Sequence, residues 1–407
     1  MDKQLTSKEF LNQLVDKHYK DAVQAKAERR PVVWATSICP QELLETMDLV
    51  TVYPENHAAA VGARKGALEF IENAEGQGYS ADICSYARVN MGYARIQHAE
   101  ALDIPMPDLI FCCSNICNTV IKWYENLARQ LSVPLILFDM PFNHTYEVPG
   151  HSVKYMRGQI ECAIKQLEDF TKKKFDYDRL GEVMELSNAT CQWWKKATDW
   201  GKASPSPLNG FDMFNYMAMI VCMRGNKDGH TLFKLWHDEL AEKAEEGRGP
   251  WNSAEEQYRI IWDGIACWPH LGTTFKGLKK YGINMVTSTY PESWNVRYEK
   301  NDLDGMARAY ASNYANRNLD YDTQNMSRLV EDFHVDGIVY HSNRSCKLMD
   351  FRQYEVQRRV EAMTGVPSVV FDGDQTDPRS FSAAQYETRI QALVEMMERN
   401  KEEGRRG

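Results

Sequence analysis

Ten cysteines are scattered through this 407-residue chain, and three of them stand at turns, where a thiol is best placed to do chemistry. Cys117 ends the segment DLIFCCSNIC (Asp108–Cys117), and Cys346 ends DGIVYHSNRSC (Asp336–Cys346). Each is followed by a helical stretch and then by VPLILFD or VPSVVFD, closing at Asp139 and Asp372. The order of apolar strand, Ser-Asn, cysteine, helix, Val-Pro and strand thus occurs twice, and a repeat constrains the fold before any local feature does. Equivalent thiols in two βαβ units lie outside the carboxyl ends of parallel strands, where open α/β sheets bind ligands. Cys84, in YSADICSYARV, is the third, with Asp82 placed to cap a helix beginning nearby. Backbone N–H groups at a helix start stabilise thiolates, so three such thiols could hold a metal or a cluster. Their dispersed spacing differs from the compact runs of ferredoxins, and buried core thiols are the competing reading.

The remaining cysteines divide by context. Cys112 and Cys113 lie inside an apolar strand, and Cys162, Cys191 and Cys222 lie on helical faces; all five read as core residues. Cys39 and Cys267 are intermediate, in loops after first strands. Two further positions sit at strand ends. Ser37 in WATSICP offers a hydroxyl that could hold an oxygen ligand on iron, or could simply cap a helix. Glu55 in YPENHAA could act as a base beside an apolar pocket, or be a solvated or capping carboxylate. His57 carries the same two readings.

The elements that must position these groups follow from apolar patterning. PVVWATS, DLVTVYP, DLIFCC and VPLILFD form one set of strand candidates; YRIIWDGIACW, INMVTSTY, DGIVYHS and VPSVVFD form a second set in the same order. Their apolarity is continuous rather than alternating, as in parallel strands covered on both faces. The fold class is therefore α/β, with two doubly wound parallel-sheet domains of Rossmann or flavodoxin-like type related by an internal repeat. The expected organisation is an N-terminal helix over 1–30 with Thr6 or Ser7 as cap, a first α/β domain over 31–148, a helical middle segment over 149–256, and a second α/β domain with a C-terminal helix over 257–407.

Composition narrows the class. Apolar content of 43% and charged content of 26% are ordinary for a globular protein, and a formal charge of −9 argues against a broad grip on nucleic acid. The longest apolar stretch, FNYMAMIVCM, is about half of a membrane span, and the charged N-terminus lacks the apolar core of a signal peptide. A cytoplasmic protein with reduced thiols, not bound to membrane, is expected. No G-x-G-x-x-G follows a strand, and G-x-x-x-x-G-K-[ST], H-E-x-x-H and G-x-S-x-G are missing.

ATSICPQELLE, YPENHAA, ICSYARVNMG, CCSNICNTVIKWYENL, GIACWPH, NDLDGMA, HSNRSCKL and FDGDQTDPR together resemble the 2-hydroxyacyl-CoA dehydratase family, which is related to benzoyl-CoA reductase. The resemblance runs from about Arg30 to Glu395 and is nearest to the 2-hydroxyisocaproyl-CoA type of α subunit. It implies an oxygen-sensitive heterodimer with a homologous β subunit that carries a second 4Fe-4S cluster. An ATP-dependent iron-sulfur activator protein is implied too, since this chain has no Walker motif. The family's three cluster ligands fall on Cys84, Cys117 and Cys346, leaving one open iron to which the substrate oxygen binds, with Ser37 and Glu55 beside it. The implied reaction is loss of water from an (R)-2-hydroxyacyl-CoA through a ketyl radical, giving a 2-enoyl-CoA. A benzoyl-CoA reductase-type subunit, a non-catalytic electron-transfer subunit and a zinc site in place of the cluster are the alternatives.

Overall fold

The computed structural model describes residues 5–100, 102–251 and 255–406. Eight strands form two four-stranded sheets. The first contains β1 (Val32–Ala35), β2 (Val50–Val52), β3 (Leu109–Cys113) and β4 (Leu135–Phe138), in the order β2-β1-β3-β4. The second contains β5 (Tyr258–Asp263), β6 (Ile283–Ser288), β7 (Gly337–Asn343) and β8 (Ser368–Gly373), in the order β6-β5-β7-β8. Every pairing is parallel, and the central strands β1, β3 and most of β5 are buried along their length, as their continuous apolarity requires. The eight strand candidates all fall in these elements.

The repeat extends to hydrogen bonds. Asp108 accepts from the Val32 N–H at 2.9 Å, and Asp336 accepts from the Arg259 N–H at 2.8 Å, so each carboxylate pins the start of its first strand. These clamps make Val32 and Arg259 equivalent positions. Counting forward along β1 and β5, Ser37 corresponds to Gly264.

The N-terminal helix Ser7–Ala27 is closed by a capping box in which Thr6 and Glu9 satisfy each other's backbone N–H groups. Between the sheets in sequence lie long helices, Gly150–Thr171, Tyr177–Thr198, Phe211–Cys222 and Lys227–Glu245. They are tied to the first unit by a buried carboxylate. Glu42 accepts from Ser187 at 2.6 Å, Tyr298 at 2.5 Å and Tyr310 at 2.6 Å, and Arg224 donates to the Tyr310 oxygen at 2.9 Å. A charge without solvent is tolerable only when it is saturated with donors in this way. The helix Ala383–Arg406 closes the chain against β8. No helix among the described residues is long and apolar enough to cross a membrane.

One core assignment from sequence fails. Cys162 is exposed, because helix Gly150–Thr171 buries Ile160, Ala163, Ile164 and Leu167 and turns position 162 outward. Cys39, Cys112, Cys113, Cys191 and Cys267 are buried, and Cys222 is half-buried beside the Asn56 amide.

Candidate active site

Three helices begin at the three singled-out thiols. Cys84 is the N-cap of Ser85–Ile96, Cys117 of Asn118–Leu131 and Cys346 of Lys347–Thr364. Asp82 does not cap the first of these; the helix starts two residues later than that reading needs, and the cysteine itself occupies the cap. Cys117 and Cys346 hold the same place after the third strand of each unit, with Ser345 as one extra residue in the second copy.

The chain draws two of these starts together. The Asp374 carboxylate, in the loop after β8, accepts from the Ser345 backbone N–H at 3.1 Å and from the Ser85 hydroxyl. Ser85 N–H donates to Ser345 Oγ at 2.9 Å, and Gln375 Nε2 donates to Cys84 Sγ at 3.3 Å and to Ser345 Oγ at 3.2 Å. The residues adjoining Cys84 and Cys346 are thus locked through one acidic loop. Arg88, buried, reinforces the lock by pairing with Asp377 at 3.0 Å and Glu75 at 2.6 Å.

Burial pushes the Cys84 thiol up to about 12 and raises Cys117 and Cys346, while backbone N–H groups of the following turn oppose it. Those groups belong to Ala87 and Tyr86, to Val120 and Thr119, and to Met349. Two of the sulfurs also sense neighbours among the three: Cys84 feels Cys117, and Cys346 feels both. Three free, half-buried thiols that share one electrostatic neighbourhood, each facing helix-start N–H groups, suit a negatively charged thiolate-bound group. Among the described residues, no three His, Cys, Asp or Glu side chains are placed to hold a single metal ion.

Ser37 and Glu55 meet each other. The Ser37 N–H donates to Glu55 Oε1 at 3.1 Å, and Tyr124, on the helix that starts at Cys117, donates to Glu55 Oε2 at 2.7 Å. Glu55 lies in the first turn of helix Pro54–Ala63, so its own backbone N–H also steadies the charge. It is buried rather than solvated, and desolvation nevertheless raises its pKa above the ordinary carboxylate value. Ser37 caps no helix, since Pro40 holds the next N-cap. His57 turns away: its Nε2 pairs with the Leu102 carbonyl at 2.9 Å, its ring packs edge-on against Tyr93, and burial lowers its pKa to about 4. It is a neutral core histidine.

Two cavities border this constellation. Cys117 lines a cleft of ≈ 990 Å³ that also carries Lys347, Phe351 and Arg352. Ser37 and Glu55 line a smaller apolar cavity of ≈ 130 Å³ with Trp268, Tyr290 and Trp294. Tyr290 escaped sequence reasoning. By strand register it is the counterpart of Glu55, because β6 slips by one residue opposite Ile260 and Ile261. Its hydroxyl pairs with that of Tyr86, which receives the Trp268 indole N–H at 2.6 Å. Burial holds both phenols in the protonated form, and Tyr290 lies within electrostatic reach of Glu55 and Cys346.

Against known families, residues 36–397 match the one described as 2-hydroxyglutaryl-CoA dehydratase, D-component. The chain belongs to that family. The (R)-2-hydroxyisocaproyl-CoA dehydratase alpha subunit of Clostridioides difficile is 49% identical over 98% of both chains. The (R)-phenyllactyl-CoA dehydratase alpha subunit of Clostridium sporogenes is 44% identical over 98% of both. A subunit of the benzoyl-CoA reductase of Thauera aromatica is more distant, at 26% identity over 88% of this chain and 87% of its own. Within the 2-hydroxyglutaryl-CoA dehydratase D-component family this chain thus stands nearer to dehydratase subunits than to that reductase.

Proposed function

We propose that this chain is the catalytic iron-sulfur subunit of an (R)-2-hydroxyacyl-CoA dehydratase, a hydro-lyase that forms a 2-enoyl-CoA, and that Cys84, Cys117 and Cys346 hold a 4Fe-4S cluster. The observation that carries the reading is that each of the three thiols caps a helix, with Cys117 in the electrostatic neighbourhood of Cys84, of Cys346 and of the Glu55 that holds the Ser37 N–H. Such a cluster supplies one-electron chemistry and an iron free to act as Lewis acid toward an oxygen.

Removing a β-hydrogen that no carbonyl acidifies defeats an ordinary base. One electron added to the thioester carbonyl gives a ketyl radical anion, which expels the α-hydroxyl; the resulting enoxy radical has a far more acidic β-hydrogen. Once that proton leaves, the electron is returned and 2-enoyl-CoA departs, so water is lost with no net redox change. The chain's own residues manage oxygen and proton. Glu55, held on both oxygens, orients the substrate or relays the proton, and its raised pKa eases proton uptake. Ser37 hydrogen-bonds the oxygen beside the cluster. The Tyr290–Tyr86 pair, kept protonated, offers donors to negative charge developing on that oxygen.

The electron must come from outside, and we propose an ATP-dependent activator and a homologous β subunit as partners. The test is to give the reconstituted, activated complex (R)-2-hydroxyacyl-CoA esters and benzoyl-CoA in parallel. Dehydration without ring reduction is expected; ring reduction without dehydration overturns the reading. If substrate leaves the spectroscopic signal of this subunit unchanged during turnover, the chain is an electron carrier and the site lies on its partner.

A further inference from the structure

The small cavity behind Ser37 and Glu55 has mostly apolar walls. Helix Pro54–Ala63 presents Ala59 and Ala60, and helix Phe211–Cys222 presents Phe214, Met217 and Val221 from the opposite side. Its hydroxyl, amide and carboxyl groups come from Tyr19, Ser37, Glu55, Asn56, Asn215 and Tyr290. No Lys, Arg or His is among the described residues lining it. The Asn56 amide in the wall is already committed, donating to the Tyr19 hydroxyl at 2.9 Å and to Cys222 Sγ at 3.4 Å.

We infer that this cavity receives the side chain of the acyl group, and that the substrates are 2-hydroxyacyl-CoA esters with an apolar side chain of up to about six carbons. The inference rests on the dehydratase reading and names the substrate class of its site. Size decides against the coenzyme: ≈ 130 Å³ is close to the roughly 150 Å³ of an apolar cavity that takes up benzene, far below what a pantetheine arm and nucleotide require. Chemistry decides against an acidic acyl group. A terminal carboxylate entering here would lose its water and face the Glu55 carboxyl group with no cationic partner among the described lining residues. The alanines matter because a larger side chain at the same positions would fill the space. Ala59 is one turn beyond Glu55 and on the same helix face, so it measures depth from the reacting end.

The test is binding of unreactive acyl-CoA analogues to the assembled complex by titration calorimetry, which needs no activator, followed by turnover on the matching 2-hydroxy esters. Isocaproyl-CoA is expected to bind at least on the order of a hundredfold more tightly than glutaryl-CoA. Ala59→Phe should weaken isocaproyl-CoA roughly tenfold or more while leaving propionyl-CoA within about twofold. Met217→Ala, which removes bulk and is less disruptive to the fold, should improve binding of 3-phenylpropionyl-CoA relative to isocaproyl-CoA. Equal loss for propionyl- and isocaproyl-CoA in Ala59→Phe, or glutaryl-CoA binding as well as isocaproyl-CoA, overturns the acyl-pocket assignment while the dehydratase reading survives. Failure of every acyl-CoA to bind sinks that reading, and the pocket assignment with it.

Discussion

The two α/β units share strand order, the clamp at the first strand and a cysteine at the start of the third crossover helix, yet they differ at the two strand ends that face the site. Where the first unit places Ser37, the second has Gly264; where the first places Glu55, the second has Tyr290. Duplication explains a symmetric pair of thiols. It does not explain chemistry, which needs an acid or base on one side and neutral donors on the other. The third thiol, Cys84, breaks the symmetry again, coming from a helix of the first unit that is fastened to the second by Asp374. The repeat makes a cradle, and the differences between its halves make the proposed site.

Exchanging the differing residues tests that comparison. The largest effect is expected at Glu55. Glu55→Gln keeps the shape and should lower kcat on the order of a hundredfold to ten-thousandfold. Because desolvation raises its pKa in the folded chain, the buried carboxylate contributes least stability once pH exceeds that raised value, and stability returns as pH falls through it. The Gln variant should therefore unfold at a higher temperature than the parent at neutral pH, with that gain shrinking in acid. It should also lose the acidic limb of the rate profile that Glu55 imposes. Unchanged activity in Glu55→Gln would remove the asymmetry from the mechanism.

Next comes Gly264, where a φ of +103° and the His341 carbonyl, which a Cβ would approach to 2.7 Å, leave no room for a side chain. Gly264→Ser, which copies the first unit's residue, should cost about 2–3 kcal/mol of stability and confer nothing, as thermal unfolding would show. Tyr290→Phe should reduce kcat about tenfold with little change in KM, the loss of one neutral donor to developing charge. A change in KM alone would assign Tyr290 to substrate binding instead. Cys162→Ser, on the outer face of its helix, should leave activity within about twofold.

Much of this was legible in the sequence, for identifiable reasons. Eight continuous apolar runs gave the strands, because parallel strands covered on both faces cannot alternate. The Ser-Asn-cysteine repeat and the stretch around Cys84 gave the three thiols. Cap geometry was less visible: Asp82 has the right chemistry for a cap, yet the helix begins at Ser85 and the cysteine takes that place. Cys162 was misplaced because cysteine is usually buried, and only the phase of its helix shows that it points outward. Tyr290 was hidden by a slip in β6. Counting residues from the strand start leads to Thr289, and the irregular pairing between Ile260 and Ile261 moves the equivalent position on by one. The small apolar cavity was out of reach, since alanines of one helix meet apolar side chains of another far along the chain.

The central claim, that one thiol from each copy joins Cys84 in holding a single cluster, is tested most directly by iron and acid-labile sulfide content. This chain would be purified anaerobically as the parent and as Cys84→Ala, Cys117→Ala, Cys346→Ala and Cys191→Ala variants. The parent and Cys191→Ala should each carry about four irons and four sulfides, and each of the other three should lose most of both together with all activity. Equal loss in Cys191→Ala, or full iron content in Cys117→Ala or Cys346→Ala, would contradict it.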